Sequence, residues 1–268
     1  MQTPLAAGLA HYGAVMSDEG IPTLAIADGR ATITLRRPQK RNRIEPADLV
    51  ALEAHLIALA AEPAVAMVVL AAEGPSWCAG FHLGALADGE RSPVSFSDVC
   101  TRLENFPVPT IAALGGNVHG GGTDLALSCD FRIGAAGIVL GMPAAKIGLQ
   151  YYASGLRRFV ERLGPDATKR LFLTAETIPA EELLRLGYLH EIVPTDNFAD
   201  RIDSLCGAIG ALAPLAVRHT KAAINALAGN APDMASIEAN AAATSRSADH
   251  REALIAMREK RKPVFQGR

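Results

Sequence analysis

The stretch PTIAALGGNVHGGGTDLALSCDFRIGAA, Pro109 to Ala136, decides the reading of this chain. It opens with the apolar run Thr110–Leu114, which predicts a buried strand ended by Gly115-Gly116. Asn117, Val118 and His119 lead to a second glycine cluster, Gly120-Gly121-Gly122. From Thr123 the pattern changes to Leu125, Ala126, Leu127 and Cys129, a short apolar helix, before a second strand around Phe131–Ile133. Three glycines therefore stand where a loop enters a helix. Glycine lets a backbone come close to a ligand, and a helix start presents unpaired N–H groups at the positive end of its dipole. Such a place can hold a developing negative oxygen, with the Asp124 carboxylate in the first turn beside it.

Two plainer readings stay open at this point. An aspartate in a first helical turn is also a favourable charge–dipole placement, and a glycine cluster also permits close helix–strand packing. The stretch lacks both the GxGxxG dinucleotide pattern and the Lys-Ser/Thr of a phosphate loop. A site made from backbone amides needs a second donor from elsewhere in the chain.

The 268 residues allow one large α/β domain, or one with a helical appendage. A hydrophobic share of 49% with 20% charged residues is an ordinary globular balance. The net charge of −2 argues against nucleic acid or an anionic membrane surface as a partner. Cys78, Cys100, Cys129 and Cys206 have no metal-ligand spacing and read as free thiols in a reducing compartment. The apolar run Ala64–Ala72 is too short to span a bilayer, and no secretory pattern opens the chain. The expectation is a cytoplasmic protein.

Residues 1–20 read as an N-terminal extension. Thr23–Ala27, Asp28-Gly29 and Arg30–Leu35 predict a hairpin, because Asp-Gly suits a turn with positive φ. The loop Arg36 to Arg43 carries five positive charges, a solvated turn or an anion-binding rim. A helix follows from Glu45, with Leu49, Leu52, Leu56 and Leu59 at helical spacing, and then the continuous apolar strand Met67–Ala71. In Ser76-Trp77-Cys78-Ala79-Gly80-Phe81-His82-Leu83, a glycine before Phe81 allows the Phe81 N–H to point into a cleft. That is a candidate second donor. His82 reads as a hydrogen-bonded or surface histidine, or as a catalyst. Tyr151-Tyr152 are either packed with satisfied hydroxyls or turn one hydroxyl to a ligand. From Asp166 on, the chain reads as nearly all helix.

Taken together, these segments resemble the crotonase superfamily of enoyl-CoA hydratases and isomerases, from about Thr23 to Phe265. The resemblance rests on Arg37-Pro38 with Asn42, Cys78 to Leu83, Gly120 to Leu125, Ser128-Cys129-Asp130, and Glu259 to Lys262. It implies an α/β fold: a spiral of ββα units over 21–195, then a helical segment over 196–268 that builds trimers, often paired into hexamers. It implies an acyl-CoA thioester as substrate, with coenzyme A as part of that substrate and no permanently bound cofactor. It places the thioester oxygen on the backbone N–H groups of Phe81 and Gly121. Lys40, Arg41, Ala79, His82, Leu83, Gly120 and Lys260 fall where the family binds the acyl-CoA, Lys260 with its neighbours being candidates for CoA phosphate contact.

Two departures from the family pattern bear on the reaction. Asp124 stands where hydratases carry their first catalytic glutamate, and Ala144 follows Pro143 where they carry the second. Arg43 and His82 also replace residues usual in the family. The stretch Gly148 to Leu156 resembles the superfamily's thioester decarboxylases, in which a tyrosine at the place of Tyr151 faces substrate. The resemblance therefore implies Asp124 as acid/base with Tyr151 assisting. Enoyl-CoA hydratase/isomerase chemistry is the leading expectation; the alternatives are a decarboxylase, a thioester hydrolase or a catalytically weak acyl-CoA binder.

Overall fold

A computed structural model describes residues 20–82, 84, 92–229 and 232–268. The N-terminal extension, apart from Gly20, and Leu83 lie outside the described residues. The chain begins with β1 (Thr23–Ala27) and β2 (Arg30–Leu35), an antiparallel pair turned by Asp28 and Gly29 at φ of 50° and 75°. Helix α1 (Pro46–Ala60) follows, capped reciprocally by Glu45 and Asp48.

Three repeats of strand, strand and helix come next. β3 (Met67–Ala72) and β4 (Ser76–Cys78) precede α2 (Phe96–Glu104). β5 (Thr110–Leu114) and β6 (Asn117–His119) precede α3 (Gly121–Leu127). β7 (Phe131–Ala135) and β8 (Val139–Gly141) precede α4 (Ala153–Lys169). The first strand of each repeat joins a large sheet and the second joins a small one. With β9 (Thr177–Pro179), α5 (Ala180–Arg185) and β10 (Glu191–Val193), the sheets run β1-β2-β3-β5-β7-β10 and β4-β6-β8-β9. Between successive repeats all pairings are parallel. This is the α/β ββα spiral.

The apolar run at β3 is continuous because both faces of the large sheet are covered. Val68 and Leu70 join Ala112 and Leu114 in the core beneath α1 and α2. Met67, Val69, Ile111 and Ala113 face the other way, onto Ile202, Cys206 and Ile209 of α6 (Phe198–Gly210). Three helices close the chain: α7 (Pro214–Ala228), α8 (Met234–Ser245) and α9 (Ala248–Glu259). α7 buries no residue fully and is tied to the core by polar bonds, from Lys221 Nζ to the Val108 carbonyl at 2.9 Å and from Asn225 Nδ2 to the Glu104 carbonyl at 2.9 Å.

The expectation of nearly continuous helix after Asp166 is corrected by β9 and β10. Three residues are too few to display a period of two, so these strands carry no pattern of their own. β4 and β6 escaped the same reading for the same reason. Among the described residues, no helix is long and apolar enough to cross a membrane.

Candidate active site

Two backbone segments meet at the N-terminus of α3. The loop after β4 is zipped to residues 41–44: Ala79 N–H donates to the Arg41 carbonyl, Ile44 N–H to the Gly80 carbonyl and His82 N–H to the Ile44 carbonyl, at 2.8–2.9 Å. Neighbouring groups on an extended chain point to opposite sides, so Phe81 N–H is directed away from that ladder. Gly80 has φ of 91°, and a Cβ on it would lie 2.7 Å from the Gly121 nitrogen. No other residue fits there. A Cβ on Gly121 would in turn lie 3.4 Å from the Phe81 nitrogen. Among the described residues, neither the Phe81 nor the Gly121 N–H donates a hydrogen bond. Two free donors thus stand side by side, one of them at a helix start, an arrangement suited to a partly negative oxygen.

Asp124 lies one turn into α3 with no exposed surface. Arg158 Nη1 donates to its Oδ1 at 2.5 Å, and the Tyr152 hydroxyl donates closely to its Oδ2. The Tyr151 hydroxyl reaches the same oxygen at 3.5 Å. The close approach of α4 is permitted by Gly155, whose Cβ would sit 2.5 Å from the Tyr151 ring and 2.9 Å from Asp124 Oδ2. Arg158 also donates through Nη2 to Glu104 Oε2 at 3.2 Å, and Arg157 joins the same carboxylate at 2.7 Å. Burial opposes the Arg158 charge, but Asp124 and Glu104 outweigh it and hold the guanidinium above its ordinary value. Burial, reinforced by the negative charge of Asp124, pushes both tyrosine phenols well above their ordinary range.

His82 Nδ1–H donates to Glu45 Oε2 at 2.6 Å, and Arg43 Nε to Oε1 at 2.6 Å. Burial raises the Glu45 carboxyl, yet these two bonds prevail and leave it below the ordinary value. Lys40 and Arg41 are exposed at the mouth of this loop. Asn42 underlies it, buried, donating to the carbonyls of Glu73 at 2.8 Å and Ser76 at 2.7 Å. Gly120 caps α3 with φ of 54°. Lys260 stands apart: it ends α9 in the left-handed region, exposed, and no hydrogen bond or ion pair joins it to the cleft among the described residues. Ala144, which the resemblance aligns with a hydratase's second carboxylate, is buried. A cavity of about 880 Å³ under α7 touches Glu104 and Arg157 but none of the paired donors, Asp124 or the tyrosines.

The family model for enoyl-CoA hydratase/isomerase matches residues 25–268. The chain belongs to that family. A crotonyl-CoA hydratase of Syntrophomonas wolfei is 31% identical over 244 residues, 88% of this chain and 94% of the relative. The enoyl-CoA isomerase/hydratase fer4 of Mycosarcoma maydis is 32% identical over 216 residues, 77% and 78% of the two chains. The crystal structure of an enoyl-CoA hydratase from Mycobacterium tuberculosis superposes with a TM-score of 0.85 at 30% identity, covering 93% of this chain and all of that one. As a member of the enoyl-CoA hydratase/isomerase family, the protein is an enzyme of that kind with the crotonase fold.

Within this family member, sequence reading brought Phe81, Gly121, Asp124 and Tyr151 to one region but left out Arg158 and Glu104, and gave Tyr152 no role. Arg158 did leave a signal: with Gly155 and Phe159 it occupies the helical positions i, i+3 and i+4 that face the core. A charged residue on a buried face needs a partner, and Asp124 is that partner.

Proposed function

We propose that this enzyme acts on acyl-CoA thioesters through an enolate whose oxygen is held by the N–H groups of Phe81 and Gly121. The supporting observation is the juxtaposition of those two free donors across Gly80. Enolate formation moves charge onto the thioester oxygen, and donors fixed in advance need no reorganisation as that charge develops. The relatives named for enoyl-CoA and crotonyl-CoA supply the substrate class. Asp124 is the acid/base in this reading, and Tyr151 assists it by position, stacked on the Tyr152 ring beside the carboxylate. Lys40, Arg41, Ala79, His82, Leu83 and Gly120 bind the acyl-CoA. Lys260 joins them from an adjacent copy in a homotrimer, alone or paired into a hexamer. That assembly accords with the exposed Ile224, Leu227 and Met234 on α7 and α8. No resident cofactor is required, and the four buried free cysteines suit the cytoplasm.

Hydration of an enoyl thioester uses two carboxylates, one for the water and one for the α-carbon. With Ala144 in the second place, a one-carboxylate reaction fits better: double-bond isomerisation, decarboxylation or thioester hydrolysis. Mass spectrometry of 2-enoyl, 3-enoyl, malonyl-type and simple acyl-CoA thioesters tests this, with chromatography to separate isomers. Loss of carbon dioxide, release of free CoA or a shifted double bond supports the reading. Net addition of water overturns its one-carboxylate part, and a panel returned unchanged overturns the enolate step for those acyl groups.

A further inference from the structure

Asp124 has no surface of its own, and both its oxygens are occupied, Oδ1 by Arg158 and Oδ2 by tyrosine. A proton that passes between this carboxylate and a bound ligand therefore has to cross a hydroxyl bonded to it. Two hydroxyls qualify, and they are not equivalent. Tyr152 makes the closer bond, whereas Tyr151 stands at 3.5 Å, the outer edge of a hydrogen bond. Tyr151 is 8% exposed and wedged between Phe172, Gly155 and the Tyr152 ring, which stacks on it at 4.4 Å between centroids. Tyr152 keeps open surface. Tyr151 is packed in; Tyr152 is only half-buried.

We propose that Tyr152 is the catalytic residue that meets the substrate, relaying a proton between the acyl α-carbon and Asp124; this rests on the enolate reading above. In the forward step the α C–H bond breaks and its proton moves to the Tyr152 hydroxyl oxygen. The proton already on Tyr152 moves at the same time to Asp124 Oδ2. The electron pair left on carbon delocalises onto the thioester oxygen at Phe81 and Gly121. One negative charge has moved from the carboxylate to that oxygen, and the tyrosine is neutral before and after. Arg158 holds Oδ1 at 2.5 Å, so the proton received on Oδ2 returns through the Tyr152 hydroxyl to a carbon of the substrate. The Cys100 thiol faces the same hydroxyl from α2 and is kept protonated by burial, so it supplies no competing base.

Acetoacetyl-CoA is the probe, because its α-proton is acidic and its enolate absorbs in the ultraviolet where the keto form does not. Binding is followed by calorimetry and enolate formation by stopped-flow absorbance, for the wild type, Tyr152→Phe, Tyr152→Met and Tyr151→Phe. Tyr152→Phe retains the ring that stacks on Tyr151, and the thermal midpoint of each variant confirms that it is folded. The expected result is unchanged affinity with enolate formation slowed about 100-fold or more in both Tyr152 variants, and only a few-fold in Tyr151→Phe. Enolate formation at the wild-type rate in Tyr152→Phe overturns the relay, as does a larger loss in Tyr151→Phe. A wild type that binds the probe without ionising it also overturns the relay, while acyl-CoA recognition stands. A wild type that fails to bind it overturns the acyl-CoA reading beneath.

Discussion

Arg158 and Asp124, 34 residues apart in sequence, form an ion pair with an N–O distance of 2.5 Å and no exposed surface on either side chain. Two charges removed from water together are tolerable, but one left behind is not. Removing a single partner of such a pair costs about 3–5 kcal/mol. Arg158→Ala and Asp124→Ala are each expected to lower stability by that order in urea unfolding. The double variant should lose less than the sum, by about 1–3 kcal/mol. Strict additivity would mean that the pair is not coupled.

Gly80 separates the two free donors. With φ of 91° and a would-be Cβ 2.7 Å from the Gly121 nitrogen, Gly80→Ala must push the donors apart. Loss of one such donor lowers kcat about 100- to 1,000-fold. Steady-state kinetics on whichever thioester the enzyme turns over should show that loss in kcat, with the fold intact by circular dichroism. Wild-type turnover in Gly80→Ala would remove these two N–H groups from the mechanism.

Ala144 offers a methyl where a second carboxylate would complete a hydratase. Ala144→Glu is expected to introduce or raise water addition to a 2-enoyl-CoA, read as a mass gain of one water. Pro143 precedes the short turn Ala144–Ile147, and residues 145–150 are exposed, so the longer side chain has an outlet. No gain in hydration would show that the missing carboxylate is not what limits water addition.

His190 carries the clearest pH signature away from the site. Its Nδ1 accepts the Arg132 backbone N–H at 3.0 Å, a bond that requires a neutral ring nitrogen. Burial, with the Arg132 and Arg162 charges, pushes the imidazole down to about 4 from 6.5. Between those values the unfolded chain binds more protons than the folded one, so stability falls as pH drops from 6.5 towards 4 and is unaffected above. Solvent at the exposed edge of the ring screens part of this. His190→Gln should flatten the urea midpoint over that window; an unchanged slope would assign the effect to other groups.

The hairpin at Asp28-Gly29 was legible because a turn with positive φ selects its residues locally. The apolar strand at β3 was legible because burial on both faces leaves a continuous run. The glycine cluster entering α3 announced a backbone-amide site, and with the 78–83 segment it carried the family resemblance. Of the small sheet only β8, at Val139–Gly141, was legible as a short strand; β4, β6 and β9 were not, since they are three residues long and are held by neighbours rather than by their own pattern. In the Tyr151-Tyr152 pair the choice of Tyr151 came from the resemblance alone, because the residues' own pattern places both at the same point before α4.

The sequence by itself determined the order of the longer strands β1, β2, β3, β5 and β7 and of the helices, the positions where only glycine serves, the family, and the absence of a carboxylate at residue 144. Each of these depends on local backbone preference or on which side chain is present at all. Only the tertiary structure decided that Arg158 closes on Asp124, that Glu104 and Arg157 back that arginine, and that Tyr152 stands nearer the carboxylate than Tyr151. Those choices are made when α2, α3 and α4 pack together, because a buried charge must find its partner across elements that the chain keeps far apart.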